Sequence, residues 1–139
     1  MIITTFLASC SKEKSASTLC DKSVSNIAGT YTPIKFEASN GGIFFNITNT
    51  VLDSCQFDDK IILNSDGTSV YLDAGVACTP NGNTNGIWSI SSDGKMTLDA
   101  GTSNVSNAEI TSFDCTTLVL TATEVFAGTP TLFRITMKK

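Results

Sequence analysis

Along most of the chain after Ile27, apolar and polar residues alternate with a period of two. Phe133, Ile135 and Met137 alternate with Arg134, Thr136 and Lys138, and Trp88 and Ile90 with Ser89 and Ser91. Met96 and Leu98 alternate with Thr97 and Asp99, and Val70 and Leu72 with Tyr71 and Asp73. Ile61 and Leu63 oppose Ile62 and Asn64; Leu118 and Leu120 oppose Val119 and Thr121. Successive side chains of a strand point to opposite faces, so each run predicts a strand with one apolar face. The expected strands are Gly29–Ala38, Ile43–Thr48, Lys60–Asn64, Thr68–Asp73, Gly86–Ser91, Lys95–Ala100, Asn104–Phe113, Thr116–Phe126 and Leu132–Lys139. Ser25 to Ala28 reads as a short helical turn, and no segment holds a helical period over a window of about 11 residues.

Turn residues separate these runs. Ser39-Asn40-Gly41-Gly42, Asn64-Ser65-Asp66-Gly67, Ser92-Asp93-Gly94 and Gly128-Thr129-Pro130 are hairpin or turn signals, and Thr79–Asn85 is a long polar loop. Short strands in simple order, each with one apolar face, fit a barrel or a sandwich. Closure removes exposed edges, which favours an all-β, up-and-down antiparallel β-barrel of about eight strands. The expected inward set is Ile34, Phe36, Phe45, Ile47, Ile61, Leu63, Val70, Leu72, Trp88, Ile90, Met96, Leu98, Leu118, Leu120, Phe133, Ile135 and Met137. It carries no charge and no convergent polar groups. A filled core, with Trp88 as a plug, is therefore as well supported as a cavity for an apolar molecule.

Composition narrows the chemistry. The 139 residues suffice for one domain with a proper core plus a leader. With 41% hydrophobic and 16% charged residues the chain is globular. Its net charge of -4 and the lack of a basic patch argue against nucleic-acid binding. The absence of histidine removes the commonest general base and metal ligand. Glu37, Glu109 and Glu124 are scattered single carboxylates that form no acid–base couple. Asp58, Asp59, Asp66 and Asp73 lack the spacing of a calcium loop; Asp66 reads as a turn former. No enzyme activity, metal or cofactor is expected.

Residues 1–10 end in Leu7-Ala8-Ser9-Cys10, which resembles the lipobox of bacterial lipoproteins. In that family the cysteine is acylated and becomes the first residue after cleavage, and two or three acyl chains suffice for stable anchoring. The apolar run before it is short and has no preceding Lys or Arg, so a start further upstream is expected. The polar, small residues after Cys10 suit a tether, and the expected organisation is signal segment 1–10, tether 11–24 and barrel 25–139. The membrane, through acylated Cys10, is the first expected partner, and the location is the bacterial cell envelope.

With Cys10 acylated, Cys20, Cys55, Cys78 and Cys115 remain. An even number in an oxidising compartment suggests two disulfides. Of three connectivities, Cys55–Cys78 with Cys20–Cys115 is favoured. The first closes a hairpin and contributes about 3 kcal/mol by loop entropy; the second ties the N-terminal segment to a late strand and contributes about 4–5 kcal/mol. Neither Cys-x-x-Cys knuckles nor a histidine partner supports zinc or a cysteine nucleophile.

An ordered set of residues carries a family resemblance. It runs from Gly29-Thr30-Tyr31 through Cys55, Phe57 to Thr68, Cys78, Gly86 to Ile90, Leu98 and Ile110 to Phe113 to Thr117 to Leu120. This order resembles the lipocalin-like domain of small envelope lipoproteins of Bacteroidota-type bacteria, over Ile27 to Lys139. Members of that family usually carry Trp where this chain has Tyr31. The resemblance implies a calycin-type barrel on an envelope anchor and no settled activity, since fold does not fix function. A monomer that carries or senses a small apolar ligand is one expectation. A filled interaction module that meets an envelope protein through loops such as Thr79–Asn85 is another, and a hydrolase inhibitor is a third.

Overall fold

The computed structural model describes residues 19–100 and 104–139. Its strands are β1 (Gly29–Asn40), β2 (Ile43–Asn46), β3 (Lys60–Leu63), β4 (Thr68–Leu72), β5 (Thr84–Ile90), β6 (Lys95–Leu98), β7 (Val105–Phe113), β8 (Thr117–Phe126) and β9 (Thr129–Lys138). Helix α1 (Val24–Ile27) precedes them; helix α2 (Thr48–Val51) and a 3-10 turn at Ser54–Gln56 join β2 to β3. All pairings are antiparallel, and β9 pairs back onto β1, so β1 and β3 to β9 close an eight-stranded barrel. The first residues of β1 pair with β3 and its last four with β2, while its other edge pairs with β9. Up-and-down order follows from short turns, because antiparallel neighbours need no crossover.

One end of the barrel is filled. Ile27, Tyr31, Phe113 and Leu118 have no exposed surface, and Trp88 and Met137 are also buried. The Tyr31 hydroxyl donates to the Ile27 carbonyl at 2.6 Å, and Trp88 Nε1 donates to the Asn64 carbonyl at 2.7 Å. These bonds satisfy the polar tips of two large rings, as burial requires. Burial raises the Tyr31 phenol well above its ordinary pKa. Lys139 Nζ donates to the Asn26 carbonyl at 2.6 Å and lies 5.4 Å from the ring centres of Tyr31 and Phe113. Cys20 is bonded to Cys115 in the β7–β8 turn, and Cys20 N–H donates to the Phe113 carbonyl, so the N-terminal segment is fixed at this closed end.

Several expectations about facing need correction. A register shift between Pro33 and Lys35 bulges β1 at Ile34, which is 48% exposed rather than inward. The bulge reverses the phase, so Tyr31 faces the core before it and Phe36 the interior after it. On β4 the phase is the opposite of that expected: Ser69 and Tyr71 are buried, while Val70 is half-buried and Leu72 exposed. Ser69 Oγ donates to the Asp99 carbonyl at 2.6 Å and Tyr71 to Asp59, so hydrogen bonding sets the register there. β2 is shorter than expected. Asn46 Oδ1 accepts from the Thr48 N–H at 3.0 Å, which turns the chain into α2 and leaves Phe45 exposed. Among the described residues no helix is long and apolar enough to cross a membrane.

Candidate functional site: a cavity at the barrel mouth

Towards the end opposite Tyr31 the barrel is not filled. On β8 the even-numbered residues Leu118, Leu120, Ala122 and Glu124 follow one face. The large buried residues stop at Leu120, and Ala122 leaves space opposite Phe133. Phe36 and Ile135, paired across β1 and β9, complete the wall. The result is a cavity of about 340 Å³, within the range of roughly 300–1,000 Å³ for small-molecule sites.

The segment after β2 forms its cover. Ile47, Val51, Leu52 and Gln56 line the cavity from above. Thr48 Oγ1 accepts from the Phe36 N–H at 2.9 Å, which ties the cover to the wall. Cys55 is bonded to Cys78, so the cover is also tied to the β4–β5 loop. That loop is built by carboxylates. Asp73 accepts from the N–H groups of Cys78 and Gly82, at 3.0 and 3.1 Å. Asp59, 1% exposed, accepts from the Tyr71 hydroxyl at 2.5 Å and from Ala74 N–H at 3.1 Å. Asp58 Oδ2 accepts from Val76 N–H at 2.9 Å. Asp59, Asp73 and Cys78 bring oxygen and sulfur atoms within 4.8 Å of one another. The sulfur is committed to a disulfide and the oxygens to these hydrogen bonds, so the cluster is explained as loop architecture.

Polar groups do reach the cavity, where no convergent polar groups were expected. Tyr71, Gln56, Asn104 and Glu124 lie on its boundary. The Tyr71 phenol is raised above its ordinary pKa, first by burial and then by the Asp59 carboxylate. Gln56 Oε1 accepts from Asp53 N–H at 2.8 Å, which sets the 3-10 turn. Among the described residues no lysine or arginine lines this cavity.

The residues named from sequence separate into three groups. Phe36, Leu120 and Phe133 line the cavity. Trp88, Met96 and Leu118 are buried in the core beneath it, with Ile90 half-buried against them. Phe45, 54% exposed, stands outside at an open groove between the β1–β2 hairpin and the start of β9. Cys10 lies outside the described residues. Sequence reasoning missed Tyr71 and Glu124. Glu124 shares the parity of Leu118 and Leu120, a signal that was available; Tyr71 was hidden by a strand whose alternation admits either phase.

No curated protein matches the chain. Among solved structures, a complex of bovine odorant binding protein with a selenium-containing odorant is similar at 15% identity. The similarity covers 86% of this chain and 74% of that one, with a TM-score of 0.47. The lipocalin-like domain family matches residues 27–120, from the end of α1 to the cavity wall at Leu120. That span is more than half of the chain, which therefore belongs to the lipocalin-like domain family.

Proposed function

We propose that this chain is a bacterial envelope lipoprotein, anchored by acylated Cys10, whose barrel carries or senses a small apolar ligand. The observation that carries the reading is the apolar cavity of about 340 Å³ under the disulfide-tied cover. Family membership supports a binding role without catalysis. The bond from Cys20 to Cys115 supports an orientation as well. A tether from Cys10 would meet the barrel at its closed end, leaving the mouth turned away from the membrane.

Residue exposure favours a second reading. Phe45, Val125 and Phe126 are 54%, 73% and 69% exposed around the mouth. Apolar residues gathered at one end suit contact with an envelope protein, with the cavity as a packing defect.

The full chain, produced in an oxidising compartment, would be titrated with N-phenyl-1-naphthylamine, a neutral fluorescent apolar probe, and weighed natively and denatured. The carrier reading expects saturable binding that Ala122→Trp weakens at least ten-fold by filling the cavity. Absence of both saturable binding and co-purifying mass would defeat it in favour of the interaction module.

A further inference from the structure

The charges around the cavity specify its ligand further than its apolar walls do. Among the described residues Glu124 is the charged one at its boundary, and it sits on the exposed rim. The other polar groups there, Tyr71, Gln56 and Asn104, are neutral side chains. Nearby cations are committed to the outer wall. Arg134 Nε donates to Glu37 Oε2 at 2.7 Å, and its guanidinium lies 3.9 Å from the ring centre of Phe44. Lys35 Nζ lies 2.7 Å from Glu37 Oε1, and Lys60 Nζ donates to Thr32 Oγ1 at 2.6 Å. β-alternation holds these side chains on the opposite face from Phe36 and Phe133.

A fatty acid entering tail-first would leave its carboxylate at the rim beside Glu124. Among the described residues it would find no cation there, and its charge would be repelled by that of Glu124. A hydroxyl, an ester or an ammonium head meets no such penalty, and a cation gains. We propose that this site takes an amphiphile with a neutral or cationic head and rejects a carboxylate head, with Glu124 as the residue that discriminates. This rests on the carrier reading and specifies its ligand class.

The test uses the full chain loaded with N-phenyl-1-naphthylamine and displaced by three amphiphiles of matched chain length, each kept in monomeric solution: decanol, decyltrimethylammonium and decanoate. Decanoate is expected to compete at least ten-fold more weakly than decanol, about 1.4 kcal/mol, and the ammonium at least as well as decanol. Glu124→Gln should reduce the decanoate-to-decanol gap below three-fold, and Glu124→Lys should make decanoate the better competitor. Glu109→Gln, on the outer face of β7, should leave the gap as it is. Equal competition by decanoate, or a gap that persists in both Glu124 variants, overturns the proposal while the carrier reading stands. Failure of decanol itself to displace the probe overturns both.

Discussion

Tyr71 and Asp59 are joined at 2.5 Å by a hydrogen bond from phenol to carboxylate, and both are buried. Tyr71 faces the cavity, and Asp59 holds the β4–β5 loop through Ala74 N–H. The bond therefore couples the cavity wall to the loop that anchors the cover. A buried carboxylate that loses a donor is costly, about 2–3 kcal/mol. Tyr71→Phe should lower stability by about 2 kcal/mol in urea unfolding. Asp59→Asn combined with Tyr71→Phe should cost clearly less than the sum of the two singles, because the second change removes a partner already lost. Additive losses would show that the pair does not act as a unit.

The two disulfides should separate by function. Cys55–Cys78 ties the cavity's cover, whereas Cys20–Cys115 ties the N-terminal segment to the closed end. Their sequence separations of 23 and 95 predict losses of about 3 and about 4–5 kcal/mol when each pair is replaced by serine. On the carrier reading the shorter loop should matter more for probe binding. Cys55→Ser with Cys78→Ser should speed release of N-phenyl-1-naphthylamine several-fold in stopped-flow displacement, and Cys20→Ser with Cys115→Ser should lower the melting temperature while leaving release unchanged. Equal release rates in both double variants would deny the cover a gating role.

Acid should expose the Glu37 network. The hydrogen bond from Arg134, reinforced by Lys35, holds the Glu37 carboxyl down to about 2. The unfolded chain binds that proton near pH 4.3. The stabilisation is therefore complete above about pH 4.5 and lost as the pH falls towards about 2. Arg134 and Lys35 keep 31% and 44% of their side-chain surface exposed, so screening reduces the effect to about 1–2 kcal/mol. Urea midpoints between pH 5 and pH 2 should fall more steeply for the wild type than for Glu37→Gln. Parallel slopes would place the acid sensitivity in other carboxylates.

The barrel was legible because its strands repeat one simple pattern. Trp88, Met96, Leu98, Leu118 and Leu120 stand on the faces their alternation assigns, and their burial needs no knowledge of partners. Legibility failed where a local event interrupts the period. The bulge at Ile34 and the turn begun by Asn46 depend on pairing across the sheet, which no single-strand pattern contains. β4 is a subtler case. Val70 and Leu72 are more apolar than Ser69 and Tyr71, yet the latter face inward because each finds an acceptor, the Asp99 carbonyl and the Asp59 carboxylate. The closed end of the site was thus readable, and its polar boundary was not, since Gln56, Tyr71 and Asn104 meet only after the loops fold over the mouth.

Among the described glycines, Gly86 makes the tightest approach to another segment's backbone. It pairs with Ser69 on β4 while the strand beyond it passes to β6, so β5 crosses between two neighbours at this residue. A Cβ at position 86 would fall far inside van der Waals contact with the Asp99 carbonyl oxygen and 3.0 Å from Ser69 Oγ. The obstacle is backbone, and it is the same carbonyl that accepts the Ser69 hydrogen bond at 2.6 Å. Relief would separate β5 from the residue after β6 and strand the Ser69 hydroxyl, combining overpacking with a lost buried hydrogen bond. Gly86→Ala should therefore cost about 3 kcal/mol or more in urea unfolding. Gly94, in the β5–β6 turn at φ +79°, meets nothing within 4 Å where a Cβ would stand. Gly94→Ala should cost only the backbone strain of a left-handed residue, about 1 kcal/mol. A Gly86→Ala variant no less stable than Gly94→Ala would mean that the strand junction can open without loss, and the close approach would then be incidental to the fold.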